Sequence, residues 1–280
     1  MRKSAALFLF FLIHTERIKM LPTITVFSLT IPMYGPMILL GCVLGILVAV
    51  YLPVRCDVPK QDIFFCALYA LIGTVIGAKL LYLAISLPAY IEAHAGMAWT
   101  LNDITFLFTH GFVFYGGLIG AVAGVFVYSK QFRLKVWPLT DSLIPSVPLM
   151  HAVGRIGCYC AGCCYGLPME PPWGVYFRAD SVAPHGIAFF PVQLVESGLN
   201  FILFVILFVY SRKPRADRQI TGLYIAGYGV IRFALEFLRG DGDRGVFGLL
   251  STSQWISLAV IPIGLYFVIK GARKRRDAAL

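Results

Sequence analysis

Charge is scarce in this sequence. Asp, Glu, Lys and Arg make up 14 % of its 280 residues, against about 25 % in an ordinary soluble domain. That scarcity excludes the usual well-solvated surface. With 59 % hydrophobic residues, it argues instead for a chain that crosses a membrane several times. Acidic residues are scarcer than basic ones, 14 against 24, which leaves a net charge of +10. The basic residues are themselves missing from particular places; the connection 88–103 has none. Nucleic acid is therefore not the expected partner, and anionic lipid is. A cleavage site of small residues is also missing after the short apolar run 5–13, where His14-Thr15-Glu16-Arg17 follows. A secretory signal peptide is not expected there, and the run is too short to span. Residues 1–20 are read as an interfacial arm, or as preceding a true start at Met20. Residues 21–280 are read as one membrane domain without internal repeats.

What is present is a series of seven apolar segments, at about 33–54, 63–87, 104–128, 140–156, 191–210, 220–238 and 253–269. The expected fold is all-α, a polytopic membrane protein of seven transmembrane helices. Helices are expected because backbone facing lipid must satisfy its own hydrogen bonds. The fourth segment is short and interrupted by Pro145 and Pro148, which remove backbone donors and clash with the preceding turn. Alternate connections collect Lys and Arg: 14 such residues on one side, including Arg55, Lys130, Arg212 and the tail from Lys270 to Arg276, against Arg178, Arg239 and Arg244 on the other. Since basic loops stay inside, the N-terminus is expected outside and the C-terminus in the cytoplasm.

A charge within the apolar belt is costly and ordinarily faces a partner or a ligand. Arg155 ends the fourth segment near the outer surface. Arg232, Glu236 and Arg239 descend the sixth toward the same surface. Arg232 and Glu236 are spaced for an i,i+4 ion pair. Guanidinium groups grip phosphate in a bidentate manner, and a phospholipid headgroup is the phosphate at this depth. Tyr34, Tyr115, Gly116, Gly117, Gln193, Glu196 and Gln254 fall at a similar level. Each alone reads as an anchor or packing group; together they point to one pocket. Gly41 and Gly45 read as helix-packing residues.

Four of the seven cysteines crowd into Cys158, Cys160, Cys163 and Cys164. Three readings stay open: thiolate ligands for a soft metal, one or two disulfides on an oxidising outer side, or thiols, one of them reactive and activated by Arg155. The spacing is not a two-knuckle zinc pattern, and neither a metal nor another cofactor is expected. His151, one turn before Arg155, is either a packing residue or a base.

Six blocks carry a resemblance over roughly residues 30–270. The first five follow in chain order. They are Tyr34-Gly35, Tyr115-Gly116-Gly117-Leu118-Ile119-Gly120, Gly154-Arg155-Ile156-Gly157 onward to Gly166, Phe190-Pro191-Val192-Gln193-Leu194-Val195-Glu196, and Tyr228-Gly229 through Arg232, Glu236 and Arg239. Gln254-Trp255-Ile256-Ser257-Leu258 closes the set. In order and spacing they resemble the prolipoprotein diacylglyceryl transferases of bacteria. The resemblance implies transfer of a diacylglyceryl group from phosphatidylglycerol to a lipobox cysteine thiol of a prolipoprotein, recognised through its signal peptide, with glycerol phosphate released. It implies a monomer in the bacterial inner membrane with its active site toward the outer leaflet. Arg155 and Arg232 would hold the headgroup, Glu236 and Arg239 would orient them, Tyr34 would bond lipid or peptide, and Gly166 would bound the pocket. The chain departs from the family pattern where Tyr115 replaces a histidine, Cys158 an asparagine, Cys163 a glutamate and Phe190 a histidine. Tyrosine, with a pKa near about 10, is a poor base at neutral pH. A related transferase with another acceptor, or a non-enzymatic lipid-binding or thiol redox protein, are the alternative readings.

Overall fold

The computed structural model describes residues 23–26, 29–51, 58–94, 99–109, 111–240 and 245–277. The arm at 1–20, Arg55, Cys56 and Arg244 lie outside the described residues. In chain order a β-hairpin, β1 (Thr23–Val26) and β2 (Leu29–Pro32), leads into α1 (Tyr34–Tyr51), α2 (Lys60–Ala93), α3 (Leu101–Thr109), α4 (Phe114–Gln131) and α5 (Val136–Leu143). A 3-10 turn (Ile144–Ser146) joins α5 to α6 (Val147–Ala161). After it come β3 (Val175–Tyr176), β4 (Ala188–Phe189), α7 (Val192–Ser211), α8 (Gln219–Glu236), β5 (Val246–Phe247), β6 (Leu250–Ser251) and α9 (Thr252–Asp277). Among the described residues the strands form three two-stranded antiparallel pairs, one before α1 and two between later helices, small additions to an otherwise helical chain.

Among the described residues, α1, α2, α7 and α9 are long and apolar enough to cross a membrane; α3 and α4, bent by 68°, make a fifth span if taken together. The chain is thus a polytopic membrane protein. The other two expected segments are also helical. α6 has 15 residues, and α8 has 18 with Arg232 and Glu236 along it, so neither is marked as a span by length and composition alone. The chain divides into two compact units, Cys56–Leu143 and the remainder.

In the smaller unit α2 packs along α4 through glycines. A Cβ on Gly120 would fall on the carbonyl oxygen of Gly73, and one on Gly116 on that of Gly77. Gly116 and Gly117 therefore serve close helix approach, as small residues do between membrane helices. Tyr115 lies in this unit, half exposed on α4. The break between α3 and α4 is satisfied by protein: Lys79 Nζ donates to the Gly111 carbonyl at 3.3 Å, and Val113 N–H donates to the Ala78 carbonyl at 3.1 Å. Irregular backbone in a membrane requires such partners.

In the larger unit α1 packs on α6, α6 on α7, α7 on α8 and α8 on α9. Gly41 and Gly45 both face Met150 of α6. Pro145 lies in the 3-10 turn and Pro148 in the first turn of α6, where a missing N–H leaves no helical bond unmade. Polarity is inverted on α7. Gln193, Glu196, Ser197 and Asn200 are buried, while Phe201, Ile202, Val205 and Val209 point outward. A helix ringed by lipid is expected to turn its polar groups toward its neighbours.

Candidate functional site

The site is built where α6 ends. Gly162 adopts the left-handed conformation (φ 71°) as the helix cap, and its N–H donates to the Tyr159 carbonyl at 3.2 Å. Glycine takes that conformation without a Cβ clash. The turn brings Cys163 back over the helix, its N–H donating to the Cys158 carbonyl at 3.1 Å. Cys164 follows with φ 58°, uncommon outside glycine and costing about 1–2 kcal/mol. The Sγ atoms of Cys158, Cys163 and Cys164 consequently all lie within 4.8 Å of one another. Gln193, at the start of α7, ties this loop down by donating Nε2 to the Cys163 carbonyl at 2.8 Å.

The next residues are clasped to the end of α8. Gly166 N–H donates to the Phe190 carbonyl at 3.0 Å, Leu167 N–H to Leu238 at 3.0 Å, and Gly240 N–H to Tyr165 at 3.2 Å. Gly166 and Arg239 face each other as a β-bridge. A Cβ on Gly166 would meet the Phe190 carbonyl oxygen at 2.5 Å, so the residue must be glycine for backbone to approach. Beyond this clasp, the exposed loop residue Arg178 donates Nε to Asp180 at 2.9 Å and holds its carboxyl below the usual carboxylate range.

Arg155 stands beside the thiols, and Arg232 on α8 lies within electrostatic reach of His151 and Tyr228. Arg155 Nη2 donates to Glu196 Oε1 at 2.9 Å and lies 2.7 Å from Oε2 as an ion pair, and Arg155 Nη1 lies 3.8 Å from Cys158 Sγ. Glu196 is 1 % exposed and also faces His151 Nε2 at 3.4 Å. Glu196 thus braces both basic groups of α6. Arg232 Nη2 pairs with Glu236 at 2.9 Å one turn along α8. These ion pairs carry a desolvation cost of several kcal/mol per ion. Despite its carboxylate, each arginine keeps a buried nitrogen with no hydrogen-bond partner: Arg155 Nε and Arg232 Nη1. An unmade bond of that kind costs about 1–3 kcal/mol, more for a charged group. A hydrogen-bond acceptor that reached either nitrogen would recover it.

Tyr228 lies within electrostatic reach of Glu196, Arg232, Arg155 and Arg239, and its ring is 5.4 Å from that of His151. It joins the two arginine helices. In the sequence Tyr228 stands out only as part of a motif; its spacing of four from Arg232, on one helix face, is the available signal. Cys164 likewise stands out in the sequence only as one of the cysteine cluster, yet it completes the trio and is within electrostatic reach of Arg155 and Arg239. Tyr34, at the start of α1, senses Arg155 and the same three thiols.

The remaining expected residues take other places. Gly157 packs against Met37 and Tyr34, and Gly154 has nothing beyond its own stretch of helix within 4 Å of a would-be Cβ. Gln254 Oε1 accepts from the Ser251 N–H at 3.0 Å and caps α9. Tyr115, Gly116 and Gly117 belong to the smaller unit. The described cysteines are all thiols, so the disulfide reading of the cluster has no bond behind it among the described residues.

Comparison with known proteins adds a family. The family model described as prolipoprotein diacylglyceryl transferase matches residues 22–270. The phosphatidylglycerol--prolipoprotein diacylglyceryl transferase of Clostridium tetani is 38 % identical over 250 residues, covering 89 % of this chain and 97 % of its own. The enzyme named phosphatidylglycerol--prolipoprotein diacylglyceryl transferase 2 of Clostridium perfringens is 33 % identical, covering 86 % of this chain and 91 % of its own. That of Aromatoleum aromaticum is 34 % identical, covering 71 % and 74 %. With these matches running through α1 to α9 and the arginine site between them, the chain belongs to the prolipoprotein diacylglyceryl transferase family.

Proposed function

We propose that this chain is the enzyme that moves a diacylglyceryl group from phosphatidylglycerol to the lipobox cysteine of a prolipoprotein. The supporting observation is the pair of carboxylate-braced arginines, each with a buried nitrogen left unpartnered. In the reaction the acceptor thiol gives up its proton to solvent, and its sulfur forms a bond to the glycerol carbon of the lipid. The C–O bond to phosphate breaks, and glycerol phosphate leaves with the electron pair. Arg155 and Arg232 meet the charge that grows on the leaving phosphate. Preorganised donors aimed at developing charge contribute more than any other single effect in many enzymes. Glu196 and Glu236 keep each guanidinium in place before the lipid arrives. Tyr34 and Tyr228 offer hydroxyls beside the reacting groups.

The site faces the outer leaflet of the bacterial inner membrane, on seven spans with the N-terminus outside and the C-terminus in the cytoplasm. The uneven distribution of Lys and Arg supports this orientation. The protein acts as a monomer, and it takes the acceptor by its signal peptide.

Purified protein with phosphatidylglycerol and a lipobox peptide tests the reading. A thioether-linked diacylglyceryl peptide is the expected product. Arg232→Ala is expected to lower the rate by about 10²–10³, the magnitude of losing one such donor, while membrane insertion persists. Full activity in that variant overturns the phosphate role.

A further inference from the structure

The three thiols at the end of α6 remain unused by the charge chemistry just described, and they sit beside it. We propose that Cys158, Cys163 and Cys164 form a site for one thiophilic metal ion of the zinc class, with its fourth position open to the acceptor's cysteine. The second half of this inference rests on the proposed transferase reaction; the first does not.

The geometry carries it. The three Sγ atoms lie within 4.8 Å of one another. Zinc–sulfur bonds of about 2.3 Å in a tetrahedron place neighbouring sulfurs roughly 3.8 Å apart. Side-chain rotation of a few tenths of an ångström to an ångström therefore closes the site. The backbone is already turned for it by the left-handed cap at Gly162 and the positive φ of Cys164. Gln193, donating to the Cys163 carbonyl, supports a ligand from behind, as outer-shell partners of metal sites do.

Charge agrees. Three thiolates and one divalent cation leave a net charge of −1. Arg155 Nη1 lies 3.8 Å from Cys158 Sγ, and Arg239 is within electrostatic reach of Cys164. A guanidinium beside an isolated dication would be repelled; beside the anionic three-thiolate complex it is attracted.

The chemistry explains why such a site would stand here. Forming a thioether requires a thiolate, and an unperturbed cysteine has a pKa near about 8.5. His151, the imidazole on α6, is engaged with Glu196. A metal with three protein ligands and one open position is the arrangement of catalytic zinc sites, and coordination deprotonates a thiol outright. The acceptor thiol binds the fourth position and releases its proton to solvent. Its sulfur then forms the C–S bond as the C–O bond breaks. The electron pair departs with glycerol phosphate toward Arg155 and Arg232. The thioether product, being neutral, is a weaker ligand and dissociates.

Detergent-purified, reduced full-length protein is stripped with a chelator, then titrated with Zn2+ and, separately, with Co2+ as a spectroscopic probe. One ion per chain and a sulfur-to-cobalt charge-transfer band are expected. Cys158→Ser, Cys163→Ser and Cys164→Ser should each weaken retention at least tenfold, whereas Cys42→Ser and Cys66→Ser retain the ion. Thermal unfolding of each variant identifies any that fail to fold, and the remaining ones decide. Equal metal content in all variants, or a fully reduced trio that takes up no ion, overturns the site. A separate arm measures peptide lipidation. Loss on chelation and recovery with Zn2+ supports the acceptor role. Full activity in metal-free protein overturns that role while the site stands. Metal binding without any lipidation of the peptide by wild-type protein overturns the transferase reading and with it the acceptor role.

Discussion

Glu196 holds two basic side chains of one helix on a single buried carboxylate. Removing either partner of such a pair leaves the other uncompensated, at about 3–5 kcal/mol, whereas replacing both by apolar residues of similar volume is often neutral. Arg155→Ala should therefore lower both stability and activity. The double variant Arg155→Met/Glu196→Met should unfold near the wild-type Tm yet lack activity, measured by thermal unfolding in detergent and the peptide assay. A double variant as unstable as the single one would make the pair structural. The two arginines were legible in the sequence because a charge in an apolar segment stands out. The Arg232–Glu236 pair was legible as well, since four residues make one helical turn. The brace on Arg155 was not, because 41 residues separate it from Glu196 and nothing local records which carboxylate it meets.

Among the elements, α2 and α4 show how fully glycine sets an interface. A side chain at Gly120 would collide with the backbone of Gly73, and backbone cannot rotate away as a flexible side-chain end can. Gly120→Leu should lower the Tm by several degrees, since a shift of roughly 2–4 °C accompanies each kcal/mol in a chain of this size. It should leave metal retention by the trio intact. An unchanged Tm would show that the two helices separate without cost. Most spans could be read from composition, and the first begins at Tyr34 as expected. The bend between α3 and α4 could not. Phe106, Phe108, Phe112 and Phe114 make both sides equally apolar, so hydropathy runs through the break while the left-handed Gly111 (φ 75°) turns the chain. The continuation of α6 to Ala161 was hidden for a related reason: cysteine and glycine signal a loop by type, yet Gly157, Cys158 and Cys160 are small enough to stay helical.

For the whole molecule, the expected topology makes a direct prediction. Val182 lies in the connection between α6 and α7 and is 72 % exposed. In a chain whose own cysteines are replaced by serine, Val182→Cys should react with a membrane-impermeant maleimide added to intact spheroplasts. A cysteine at Asp217, in the basic connection between α7 and α8, should react only after lysis. The reverse pattern would invert the orientation and move the site to the cytoplasmic leaflet. Membrane class and the order of segments were legible because lipid imposes composition on every exposed helix face. The positions of short helices between the long ones were not, since protein rather than lipid sets their surroundings.

Gly154 stands one residue before Arg155, and apart from its own stretch of helix nothing lies within 4 Å of where its Cβ would be. The neighbouring glycine on the same helix, Gly157, is hemmed in by Met37 and Tyr34. Bulk added at 154 thus meets no neighbouring element at the Cβ position, and under the proposed function it would enter the lipid's space. Ala, Val and Leu at this one position form a graded steric ruler: KM for the lipid should climb along the series while the melting curve holds still.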